Sequence, residues 1–154
     1  MTRYWLTQHW PHPANASEDH PWSVYLQQRY KAKGANIAPG DRIVFYETGG
    51  SGKATYRPGT QELVKLTKGR QAVVGVAEAA ERIRLRNIGV SQYADGSQLN
   101  WAWEVPCRSH EWGREKVRYE DVLEVLGRGT MRIPGGLIEI NASEYYELRR
   151  RMGL

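Results

Sequence analysis

Strand-like segments recur from one end of this 154-residue chain to the other, with a few helix-like segments set between them. That order constrains the fold more than any other feature of the sequence. In residues 3–8, Tyr4 and Leu6 point one way and Trp5 and Thr7 the other, the two-residue period of a strand. Trp10-Pro11-His12-Pro13 cannot continue a regular ladder. Residues 22–33, between Pro21 and Gly34, predict a helix. The turn Pro39-Gly40-Asp41 launches a second strand over residues 42–47. The polar, glycine-rich stretch 48–70 reads as an excursion or lid, with residues 61–66 briefly ordered. The Val-Val-Gly-Val run in residues 72–79 marks a buried strand, which continues through a bend into the alternating residues 82–86. Residues 99–105 predict another strand, and residues 119–126 a short helix closed by Gly127. Residues 129–140 hold a turn at Pro134-Gly135-Gly136 and a short strand. Asn141 and Glu144 have the spacing of a capping box that opens a last helix. No repeat or linker interrupts this order, so one α+β domain is expected over residues 1–154, built on a curved sheet.

Composition bears on function. Six tryptophans and nine tyrosines stand against one phenylalanine, on a chain of net charge +5. Trp and Tyr add a flat face and a polar handle to apolar bulk, which suits base stacking, although indoles also serve as ordinary core residues. The single Cys107 forms no internal disulfide and fits a reducing, cytoplasmic setting. No segment approaches a membrane span, so no membrane partner is expected.

Several constellations fail on inspection. Gly49-Gly50-Ser51-Gly52-Lys53-Ala54 hints at a phosphate-binding loop, but Glu47 stands where its first glycine belongs and Ala54 replaces the Ser or Thr that would touch magnesium. His9, His12 and His20 flank prolines without acidic or Cys partners at ligand spacing, so neither a metal nor a cofactor is expected. Cys107 and His110 lack an orienting third group for thiol chemistry. Arg82, Arg84 and Arg86 share one side of a strand and are candidate phosphate contacts, although a solvated sheet face gives the same pattern. Lys31 and Lys33 are further phosphate candidates, or complements to a helix dipole.

Taken in order, several short motifs resemble the EVE and YTH families of PUA-like domains. Tyr4-Trp5-Leu6 resembles the opening of EVE domains, and Gly40-Asp41 with Val44-Phe45-Tyr46 resembles their Gly-Asp strand. Trp22-Ser23 is similar to the Trp-Ser of some YTH base pockets. Gly50-Ser51-Gly52 and Gly75-Val76-Ala77-Glu78 resemble YTH strand and loop elements. Ile138-Glu139-Ile140 with Ser143-Glu144-Tyr145 resembles the EVE closing segment. The chain departs from the EVE pattern at Thr7-Gln8-His9-Trp10-Pro11 and at residues 24–32.

The resemblance implies a PUA-like fold, a curved mixed sheet or pseudo-barrel of about five to six strands with flanking helices. It also implies a non-enzymatic reader of DNA or RNA that holds a modified base in an aromatic cage. Trp22 would then be one wall and Ser23 an edge contact, with Thr7 and Gln8 as polar pocket residues. Tyr93, Trp101 or Trp103 would supply the second wall, and Tyr46 would face the pocket if Phe45 is buried. An effector enzyme such as a nuclease is a partner found with such domains. Two alternatives stay open: an enzyme acting on a nucleotide or small polar substrate through His9 or Glu47, and a protein-interaction module whose aromatics are all structural.

Overall fold

The computed structural model describes residues 1–9, 22–49, 54–56, 63–65, 69–86 and 101–154. Its main sheet has five strands: β1 (Tyr4–His9), β3 (Arg42–Glu47), β6 (Ala72–Ala79), β9 (Cys107–Arg118) and β10 (Leu137–Ile140), in the order β10-β1-β3-β6-β9. β1 and β3 run parallel and the other neighbours antiparallel. A second, three-stranded sheet orders β2 (Val24–Leu26), β8 (Trp103–Val105) and β7 (Arg84–Leu85) as β2-β8-β7. β4 (Ala54–Tyr56) and β5 (Leu63–Lys65) form a hairpin within the polar excursion. The described helices are the single turn α1 (Lys31–Gly34), α2 (Tyr119–Leu126) and α3 (Ala142–Arg151). This is the mixed α+β architecture expected; none of the described helices is long and apolar enough to cross a membrane.

The main sheet is covered on both faces, which explains the continuous apolar run of β3. Ile43 and Phe45 face one core layer with Trp5, Trp22, Leu26 and Val105. Val44 and Tyr46 face the other, with Val122, Tyr145 and Leu148 from α2 and α3. The starting ends of β1 and β3 are fastened together by Asp41. Its carboxylate accepts from the Trp5 indole at 3.1 Å and from the amides of Ala38 at 2.9 Å and Arg3 at 3.1 Å.

Four segments depart from the sequence reading. Residues 22–33 are not one helix: β2 is followed by a tight turn at Gln28–Tyr30 and then by α1. Val24 and Leu26 are buried on either side of Tyr25, and β2 pairs antiparallel with β8, so tertiary pairing overrides local helix preference. The bend after β6 leaves only Arg84–Leu85 in a strand, and the described part of the segment predicted over 99–105 pairs from Trp103 onward. β9, twelve residues long, was unmarked in the sequence. It lies at a sheet edge where most of its side chains are charged or half-exposed, so no two-residue apolar period betrays it.

Candidate functional site

Because β1 and β3 run parallel, their last residues meet at one end of the sheet, where the Thr48 amide donates to the His9 carbonyl at 3.0 Å. There a cavity of about 400 Å³ opens. Gln8, His9 and Thr48 form its floor. β2 contributes Tyr25, the turn after it contributes Gln27, Arg29 and Tyr30, and Arg86 and Trp101 line the cavity beside Tyr25. The segment Ile133-Pro134-Gly135-Gly136 closes the cavity from above. Gly135 is required there: at φ 72° it lies so near Tyr30 that a Cβ would come within 2.6 Å of the ring.

Among the described residues the lining carries two arginines and no carboxylate. Arg86 lies 4.3 Å over the Tyr25 ring and donates to the Trp101 carbonyl at 3.0 Å. Arg29 sits 4.8 Å over Tyr30. Burial raises the Tyr25 hydroxyl above its ordinary value against the opposing charge of Arg86, so it stays a neutral donor. Lys33 braces the roof by donating to the Pro134 carbonyl at 2.8 Å, and burial followed by the charge of Arg128 lowers its pKa. Gln8 donates through Nε2 to the Met131 carbonyl at 2.7 Å. A carbonyl only accepts, so this contact fixes which way the Gln8 amide is turned.

Of the residues singled out in the sequence, Gln8, Trp101 and Arg86 line this cavity, as does His9. Trp22 does not. It is 5% exposed, packed edge-on against Trp112 at 5.2 Å and in tilted contact with the His9 ring at 3.6 Å. Its large apolar face is satisfied inside the core, and it reaches the cavity only through the His9 ring. Ser23 lies beside it, hydrogen-bonded to Tyr25. Thr7 is buried between Phe45 and Leu137 on the neighbouring strands. Tyr46 faces the helix-covered layer, where burial pushes its hydroxyl up to about 12. Trp103 stands outside the cavity, donating to Gln28 at 2.5 Å with Lys31 4.0 Å above its ring. Arg82 is turned to the carbonyls of Ala35 and Ile37, while Arg84 pairs with Glu81 and Glu104, so the three arginines form no row. Tyr93 lies outside the described residues.

Tyr25, Gln27, Arg29 and Tyr30 went unnoticed because they fell within the predicted helix. The paired glycines at 135 and 136 were visible only as a turn. Of the groups weighed for catalysis, His9 lines the cavity. Glu47 is buried and gripped by Arg70, and burial pushes the Cys107 thiol up to about 12.

No protein-family model and no curated protein matches the chain. Solved structures do. A hypothetical protein from Leishmania major aligns with TM-score 0.61 at 15% identity, over 99% of this chain and 96% of that one. An ASCH protein from Zymomonas mobilis aligns with TM-score 0.58 at 17% identity, over 96% and 95%. Human THYN1, solved in complex with 5-methylcytosine-containing DNA, aligns with TM-score 0.55 at 11% identity, over 97% and 98%. The fold is PUA-like. At these identities the likeness extends to the fold alone.

Proposed function

We propose that the cavity between the two sheets holds one unpaired or extruded base of a nucleic-acid strand, and that this protein reads a modified base rather than transforming it. The observation that carries this reading is the lining itself: Tyr25, Tyr30 and Trp101 around a space of about 400 Å³ and, among the described residues, two arginines and no carboxylate. That volume falls within the range of small-ligand sites, and a base needs flat walls and hydrogen-bonding groups at its edge. Extruding a base costs a few kcal/mol and stacking returns about 1–3 kcal/mol per base, so edge and phosphate contacts must supply the remainder. Gln8 would serve the edge. One side of its amide is committed to Met131, which leaves the Oε1 acceptor for an amino group on the ligand. Arg29 and Arg86 would hold the flanking phosphates. The PUA-like fold of THYN1 accommodating methylated DNA lends support.

The reader reading, as opposed to an enzyme, rests on the engagement of Glu47 by Arg70 and on the neutral thiol of Cys107, and it assigns His9, which lines the cavity, to ligand contact. Equilibrium binding to matched modified and unmodified oligonucleotides tests the proposal. Trp101→Ala is expected to weaken binding about ten- to hundred-fold, the loss of one stacking wall, with little change in melting temperature. Equal binding of both oligonucleotides, untouched by Trp101→Ala, overturns it. Turnover of a nucleotide by the purified chain overturns the reader reading in favour of an enzyme.

A further inference from the structure

A second cavity, also of about 400 Å³, opens at the same end of the main sheet. The strand register fixes its relation to the first. His9 pairs with Glu47, Glu47 with Ala72, and Ala72 with Arg118, a row across four strands. Three inter-strand steps put about 14 Å between the ends of that row. His9 lines the first cavity, and Ala72 and Arg118 line the second.

The charges along the row favour an anion. Lys116 and Arg118 occupy alternate positions of β9, flanking Val117, which is buried in the helix-side core. Arg84, Arg108, Arg149, Arg150 and Arg151 are all held in ion pairs. Lys116 and Arg118, by contrast, pair with no carboxylate among the described residues. Glu47, midway along the row, is buried under the Arg70 guanidinium, so its charge is compensated. Gln71, at the mouth of the second cavity, holds φ 50°, a conformation that residues with a Cβ seldom adopt and that recurs where ligands are clamped. Glu120 is the one carboxylate among the described residues of this wall, set against two uncompensated cations.

We infer that the second cavity takes a backbone phosphate of the same nucleic-acid strand whose base enters the first. The separation of about 14 Å corresponds to roughly four nucleotides of stacked strand at ~3.4 Å each. This inference rests on the base-pocket reading, and the test separates the two. Binding of a modified-base single strand of ten nucleotides and of a trinucleotide is measured across a salt series. Removing both cations, as Lys116→Gln with Arg118→Gln, is expected to weaken the ten-mer about ten-fold. It should also flatten the dependence of log affinity on log salt by about 0.7, the value for one phosphate of a single strand, while leaving the preference for the modified base and the trinucleotide affinity unchanged. Glu120→Gln should tighten the ten-mer several-fold, a gain that no folding defect produces. A double variant that binds the ten-mer with wild-type affinity and slope, while Trp101→Ala still loses binding, overturns the phosphate site and leaves the base pocket standing. Wild-type protein that binds neither oligonucleotide overturns both.

Discussion

Glu47 is only 1% exposed, yet it remains charged because Arg70 grips it with its amide, its Nε and its Nη2, at 2.9, 3.1 and 2.7 Å. Burial alone would push this carboxyl up; the Arg70 hydrogen bonds outweigh it and hold the group below the usual carboxylate range. Because the folded value is the lower one, the unfolded chain binds more protons, and the pair's stabilisation is complete above the ordinary glutamate value. It is lost as pH falls through the depressed folded value. Urea unfolding followed from neutral to acid pH should therefore show a loss of stability that is smaller in Glu47→Gln. Arg70→Ala, which strands a buried charge, should cost about 3–5 kcal/mol at neutral pH. Trp22→Ala should likewise cost about 3–5 kcal/mol in unfolding free energy, the penalty of emptying a core site. Trp101→Ala leaves stability largely intact and strikes binding instead, and this contrast separates core aromatics from cavity aromatics. Two of the motifs that carried the family resemblance also resolve at this scale. Trp5 and Asp41 bond to each other and fasten the sheet, so they mark the fold and not the ligand.

Among the elements, those with local signals were legible. The capping box of α3 is present as read: Asn141 Oδ1 accepts from the Glu144 amide at 2.7 Å, and Glu144 accepts from the Asn141 amide at 2.9 Å. Asn141→Ala should lower stability by about 1 kcal/mol, read as a fall of a few degrees in thermal unfolding. α2 ends at Gly127 in the left-handed conformation that a glycine tolerates. The strands β1, β3 and β6 announced themselves by period or by apolar runs. β2 and β9 did not, because each is fixed by its partner. β2 borrows its register from β8, and β9 has only β6 beside it in the sheet. Gly75 shows how close that last pairing is: a Cβ there would lie 2.5 Å from the Trp112 ring.

On the scale of the whole molecule, the candidate site belongs to no single motif. Its lining comes from residues 8–9, 25–30, 48, 86, 101 and 133–136, segments that meet only when β1 and β3 lie parallel and the small sheet closes over them. The sequence by itself determined that strands and helices would combine into an α+β fold, where helices are capped, and that aromatics and surplus cations are abundant. Each of these follows from periodicity, capping chemistry or composition, which act over a few residues or over the chain as a bulk. Only the tertiary structure decided which aromatics face a cavity and which face the core. Trp22 and Trp101 are the same residue type, and what separates them is the set of distant chain segments packed around each. That set is chosen by strand pairing across tens of residues, where no local pattern reaches.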